Sequence, residues 1–362
     1  MQRMVIWVSL GIILLPGIVG AADWTEIVKV KGDLRYRHEM IKIEDNDARN
    51  RHRVRARLGI EANPTDSIKI GFQLASGSDD PISRNQTLDG GFTAKQIWID
   101  LSYVDLHTDK APGLNIIAGK MKNPFHKPGS SELVWDSDFN PEGGVLKYSA
   151  SGDMAEFYTN IGGFWVEERS SDSDTWLFGG QAGVDVSLSD DKANIGGGFT
   201  YYGYGNIKGF GPFYEGDTFG NTVDESGNFM YDYKLVEFFA ELGIKAWDFP
   251  LQFFFDYLKN VAENVEQDQG WLVGTKIGKT GDPGTWAARY IYREVEADAV
   301  FATFTDSDFN GGGSDNRGSE FGLDVQVAKA WTAGMTYILN ERSATEDTPT
   351  YHRLQLDVAF KF

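Results

Sequence analysis

The sequence predicts an all-β fold: an antiparallel transmembrane β-barrel of about 16 strands, with short periplasmic turns and long extracellular loops. Three observations predict it. Apolar and polar residues alternate with a period of two over most of the chain beyond residue 22. The breaks between alternating segments are short and long in turn. The polar face of the first segments carries arginines that a lipid-facing surface does not tolerate.

The chain has 362 residues, and its early part reads as an address. Arg3 carries the only early charge, Val5 to Val19 is nearly all apolar, and Gly20 and Ala22 are small residues ahead of Asp23. This is the pattern of a secretory signal peptide over 1–22, with the barrel domain at 23–362. An exported chain with no Cys has no disulfide framework and no thiolate metal site. The formal charge of −19 excludes a general nucleic-acid binder, which needs a basic surface. A negative mean hydropathy excludes a bundle of membrane helices but not a barrel, whose strands are half polar.

The first strand, near 25–40, sets Val28, Val30, Leu34, Tyr36 and Met40 against Lys29, Lys31, Asp33, Arg35, Arg37 and Glu39. In the second, near 50–62, Arg51, Arg53, Arg55 and Arg57 alternate with His52, Val54, Ala56, Leu58 and Ile60. An Arg on the lipid face near the midplane costs about 2–4 kcal/mol. Several such residues would rival the stability of a whole domain, about 5–15 kcal/mol. The arginines therefore face water, and the apolar partners meet lipid or a core. Further strands read near 67–78, 94–106, 113–121, 144–149, 153–166, 175–188, 193–206, 233–246, 250–259, 270–279, 285–296, 317–328, 332–341 and 350–362. In the last, Leu354, Leu356, Val358, Phe360 and Phe362 oppose Arg353, Gln355, Asp357 and Lys361. Turns such as Asn63-Pro64-Thr65-Asp66 carry the Pro, Gly and Asp that tight turns need. Longer connections at 41–49, 79–93, 122–143, 167–174, 207–232, 260–269, 297–316 and 342–349 are rich in Asp, Asn, Ser and Gly. Trp24, Trp176, Tyr201, Trp247, Trp286, Trp331, Tyr351 and other aromatics fall near strand ends, where amphipathic rings suit the headgroup zone.

Several runs carry a family likeness. They are Arg51-His52-Arg53-Val54-Arg55-Ala56-Arg57-Leu58-Gly59-Ile60, Asn85-Gln86-Thr87-Leu88, Ile117-Ala118-Gly119-Lys120-Met121-Lys122-Asn123-Pro124-Phe125, Leu133-Val134-Trp135-Asp136-Ser137-Asp138, and the strand ending at Phe362. On these the chain resembles the bacterial outer-membrane porins, within them the putative-porin group similar to the phosphate-selective porins. The resemblance implies a homotrimer of sixteen-stranded barrels in the bacterial outer membrane, in contact with its lipid and lipopolysaccharide. It also implies that the third long loop, here near 122–143, folds into the lumen. The chain would then be a diffusion channel for small hydrophilic solutes and ions, not an enzyme, with no cofactor.

A barrel of this size leaves an aqueous channel. Arg35, Arg37, Arg51, Arg53, Arg55, Arg57 and Lys69 form the expected basic wall of a constriction. Glu132, Asp136, Asp138 and Glu142 on the inserted loop would face it. Opposed charge rows set a transverse field and tune ion preference. Other loop acids, such as Asp79, Asp80, Asp172, Asp174, Asp306, Asp308 and Asp315, are expected outside, drawing cations to the mouth. Asp-Ser-Asp occurs at 136–138, 172–174 and 306–308. Clustered oxygens suit Ca²⁺, but EF-hand spacing is absent. The expectation is solvated loop acids and no metal. Five scattered His give no metal spacing. Phe254 is expected inward and, with Trp98 and Phe239, offers either a sugar-stacking track or a packed wall. Three alternatives remain: a channel specific for anions, phosphate or carbohydrates; a plugged structural or adhesion barrel; and an exported soluble β-sandwich.

Overall fold

A computed structural model describes residues 27–188, 192–246 and 249–362. The expected signal peptide, and the aromatics Trp24 and Trp247, lie outside the described residues. Sixteen strands form one closed antiparallel barrel. They are β1 Val28–Ile43, β2 Arg49–Thr65, β3 Ile68–Ser76, β4 Ile97–His107, β5 Leu114–Lys120, β6 Glu142–Ser151, β7 Ala155–Glu167 and β8 Thr175–Leu188. The second half is β9 Ala193–Gly205, β10 Lys234–Ala246, β11 Phe249–Asn260, β12 Gln269–Gly278, β13 Trp286–Val295, β14 Asn316–Ala328, β15 Trp331–Glu341 and β16 Thr350–Lys361. Each strand pairs with its sequence neighbour, and β16 returns to β1. Phe362 completes the seam by exchanging backbone hydrogen bonds with Gly32 at 3.0 and 3.1 Å.

Boundaries follow the alternation to within a few residues. β1 and β2 each run three residues further than expected, to Ile43 and Thr65, so the expected turn at 63–66 narrows to 66–67. β6 starts at Glu142 rather than 144; Gly143 and Gly144 carry no side-chain signal for a strand. The residues of each strand divide as period two requires. Leu34, Ile60, Phe72, Phe157, Phe199, Phe253, Phe321 and Leu356 are exposed on the outer wall. Arg37, Asp256, Arg293 and Arg353 are buried inside. A soluble domain hides its apolar side, so this inversion marks a surface made for hydrocarbon. Tyr351 departs from the aromatic pattern, being inward and buried.

The four longest connections, 77–96, 121–141, 206–233 and 296–315, all follow odd-numbered strands. In an antiparallel barrel they therefore leave from one end. All four contribute to an interior apolar cluster that packs on the wall: Ile82 from 77–96, Phe125, Leu133 and Trp135 from 121–141, Phe229 and Tyr233 from 206–233, and Phe301 and Phe304 from 296–315. The expectation that 207–232 and 297–316 lie wholly outside is overturned. Their aromatics cannot be left in water at no cost, and the lumen is the nearest place to bury them.

Candidate functional site in the barrel lumen

The site begins with the register of β1 on β2. It sets Arg35 opposite Arg55, Arg37 opposite Arg53, Glu39 opposite Arg51, and Asp33 opposite Arg57. Like charges directly opposite one another destabilise a sheet, so this wall folds only with acids brought to it. The next strand, β16, contributes Asp357, which takes Arg37 through two bonds of 2.7 Å. Asp33 takes Arg57 at 2.6 Å and Arg55 at 3.1 Å. Glu39, with no exposure, lies between Arg51 and Arg353, the latter at 2.5 Å. Arg53 has no carboxylate partner among the described residues; its Nη2 donates to the Asn85 carbonyl at 3.3 Å and its Nε has no partner. Arg35 donates to the Asn85 side chain at 2.6 Å and pairs with Asp357 at 3.7 Å; its Nε, like that of Arg53, is buried without a partner.

Two loops bring the remaining acids. The connection 121–141 leaves β5 beyond Gly119, whose φ of 119° and close approach to the Ser102 carbonyl admit no side chain. It then crosses the interior. His126 meets Glu241 of β10 at 2.8 Å, and Gly129 donates to the same carboxylate at 2.5 Å. Lys276 of β12 donates to the Gly129 carbonyl, and Arg293 of β13 donates to the Glu132 carbonyl at 3.1 Å. At its tip Asp138 reaches Arg57 at 3.3 Å and Arg55 at 3.6 Å. The connection 296–315 meets it there, the Asp136 amide donating to the Phe304 carbonyl at 3.0 Å. Asp308 reaches Arg37 at 3.1 Å and Arg353 at 2.6 Å; Asp306 reaches Arg293 at 3.0 Å.

A cavity of about 260 Å³ lies between these groups; Arg35, Arg37 and Arg55 line it together with Glu132, Asp136, Asp138, Asp306 and Asp308, and Arg289, Arg293, Glu320 and Asp357 share the lining. Burial, then repulsion from Asp306, pushes Glu132 up to about 8. Burial, then repulsion from Glu132, Asp138 and Asp306, raises Asp136 well above the carboxylate range. Burial opposes the charge of Asp308 too, but Arg353 and Arg37 overcome it and hold that carboxyl low.

Two residues expected here are elsewhere. Glu142 is the first residue of β6 and shares the outward side of that strand with Leu146 and Tyr148; it pairs across the strands with Lys120 at 2.7 Å. Lys69 lies beside the 66–67 turn, where it and Lys31 share Glu61 at 3.2 and 2.6 Å. Asp306 and Asp308, expected at the mouth, stand in the interior. Asp33, Glu39, Asp357, Arg353, Arg289, Arg293 and Glu320 belong to the same charged lining and were missed as site residues. Strand parity was the available signal for them. Phe254 turns inward, but Gly129 sits on its ring and His126 on that of Phe239, ring centroids 5.3 Å apart, so these faces are covered. This is the packed wall of the two readings.

A barrel with a hydrocarbon-ready exterior and an ion-lined interior cavity is the architecture of a membrane channel. The chain matches the family model described as "Putative porin" over residues 41–211 and 222–362, and it belongs to that family. Among solved structures it is similar to OprB of Pseudomonas putida at high pH, with TM-score 0.62 and 11% identity over 93% of this chain and 95% of that one. It is similar to the outer membrane channel DcaP of Acinetobacter baumannii, with TM-score 0.51 and 12% identity over 92% and 97%. The in-vitro folded trimer form of Vibrio cholerae OmpT has TM-score 0.53 and 13% identity over 92% and 99%. No curated protein matches. The protein is a diffusion channel of the bacterial outer membrane.

Proposed function

We propose that small hydrophilic solutes and ions pass through a constriction where the β1–β2 arginines face the acids of the two infolded loops. The observation that carries this reading is the single cavity lined by Arg35, Arg37 and Arg55 together with Asp138 and Asp308. A polar solute aligns its dipole between the two rows and exchanges its waters for fixed charges. An apolar solute gains nothing in exchange and meets a barrier. Most of the arginines have carboxylate partners, so net sign preference is weak and rests on Arg53, which has none among the described residues. The unpaired charge of Arg53 favours a second reading, an anion-preferring neck. The finer kinship with phosphate-selective porins rests on the residue runs at 51–60 and 117–125 alone. The sugar-track reading has less support, because Phe239 and Phe254 are covered.

The remaining parts of this reading are a homotrimer, with the OmpT trimer form as supporting likeness; removal of 1–22 before Asp23; and departure of the long loops from the extracellular end of the barrel. Planar-bilayer recording tests the core of it. Each unit charge 4 Å from an ion is worth about 1 kcal/mol in water. Arg53→Glu with Arg55→Glu should therefore move the reversal potential under a salt gradient several-fold toward cations. Unchanged selectivity would sink the constriction role. Insertion in three equal current steps checks the trimer.

A further inference from the structure

Two loops far apart in sequence meet at their Asp-Ser-Asp runs, and between them stand three carboxyl groups. Ligand oxygens of Glu132, Asp136 and Asp306 all lie within 4.8 Å of one another. Their orientation is already set by backbone amides. Asp136 accepts from Asp138 at 2.7 Å and from Ser307 at 2.9 Å. Asp306 accepts from Asp308 at 2.8 Å, and Glu132 from Ser137 at 3.0 Å. A carboxylate offers about four lone-pair sites, so Glu132 and Asp136 keep free ones. Only Asp306 has a cation, Arg293 at 3.0 Å, among the described residues. The nearby Lys127 donates to the Trp135 carbonyl at 3.2 Å and makes no ion pair with the three groups. Among the described residues Arg293 is the one guanidinium in direct contact with the three carboxyl groups, and Arg289 lines the same cavity.

An independent observation points the same way. Ser131 lines the cavity that holds all three carboxyl groups, it is 2% exposed, and its Oγ is buried with no hydrogen-bond partner. A buried hydroxyl without a partner costs about 1–3 kcal/mol, and here a metal ion would supply that partner.

We propose that Glu132, Asp136 and Asp306, with the Ser131 hydroxyl, bind a divalent cation that ties the loop 121–141 to the loop 296–315. Ca²⁺ is the fitting ion. It takes 6–8 oxygens in flexible geometry, from mono- or bidentate carboxylates, neutral oxygens and water. The adjoining cavity, about 260 Å³, has room for the waters. Mg²⁺ demands a stricter octahedron and keeps more of its own water. The expected absence of metal rested on EF-hand spacing within one segment; this site is assembled from two. Asp138 and Asp308, the second acids of each run, are turned away to the arginines and take no part.

Terbium tests the site in the detergent-purified, chelator-stripped protein, because Trp135 adjoins Asp136 and can sensitise its emission. The expected result is saturable Tb³⁺ luminescence on tryptophan excitation, displaced by Ca²⁺ at one equivalent per chain. Asp136→Asn with Asp306→Asn should weaken Ca²⁺ competition at least about tenfold, since affinity follows ligand charge count. Glu132→Gln is the milder second variant, read in the same way should the double variant not fold. Absence of saturable emission in the native chain, or unaltered Ca²⁺ competition in a folded variant, overturns the proposal. This readout needs no current, so its failure leaves the channel reading standing, and loss of conductance leaves the metal result standing.

Discussion

The tripeptide Asp-Ser-Asp appears three times and meets two fates. At 136–138 and 306–308 it lies in the lumen, where the first acid accepts the amide of the second and the second reaches the arginine wall. At 172–174 it stays in the short connection between β7 and β8. There Asp172 accepts the Ser173 amide at 2.7 Å and Asp174 accepts the Arg169 amide at 2.8 Å, with Asp172 and Ser173 exposed. The difference is in the flanking residues. Leu133, Val134, Trp135 and Phe139 surround the first run, and Val300, Phe301, Phe304 and Phe309 the last; all are buried. Residues 168–174 contain no apolar side chain. Apolar anchors draw a loop into the barrel, and the acids are carried with them into contact with arginine.

The largest expected effect breaks that anchor. Trp135 stacks on Phe139 with centroids 4.9 Å apart and meets Tyr202 edge-on at 5.1 Å. Trp135→Ala should forfeit about 3–5 kcal/mol of packing, release the loop tip and raise single-channel conductance, while circular dichroism still reports the barrel. Native conductance in this variant would separate the acids' placement from the aromatic anchor.

A smaller effect follows pH. Burial works against protonation of His126, but its bond to Glu241, with help from Asp185 and Glu237, raises it above the ordinary 6.5. A raised histidine stabilises fully below its unfolded value and loses that contribution as pH rises through the folded one. Loop anchoring should therefore weaken on alkalinisation beyond about 6.5, seen as growing current fluctuation. In His126→Gln that pH dependence should vanish; its persistence would assign it to another group.

The smallest effect is expected at the exposed run. Asp172→Asn with Asp174→Asn should leave stability within about 0.5 kcal/mol, and the reversal potential as in the native protein. A shift comparable with that of the Arg53 and Arg55 reversal would place this run beside the ion path.

Legibility divides along the same line. Period-two alternation made all sixteen strands visible, and it told which side of β1 and β2 holds arginine. It also implied the missed wall residues, since Arg289, Arg293, Glu320, Arg353 and Asp357 occupy polar positions of alternating strands. Glu142 was misplaced because parity is only meaningful once the strand start is known, and two glycines hid that start. Lys69 was placed by side correctly but by depth wrongly; alternation says inward, not how far along the axis.

What the amino-acid sequence determined by itself is the local and the energetic: strand, turn, and the side each residue must turn to water, because an arginine in hydrocarbon costs more than a strand can recover. What only the tertiary structure decided is which loops enter the lumen and whom their acids meet. Asp136 and Asp306 stand 170 positions apart in the chain, and nothing in either segment encodes the other. Barrel closure and the burial of Trp135 and Phe304 against each other bring them together.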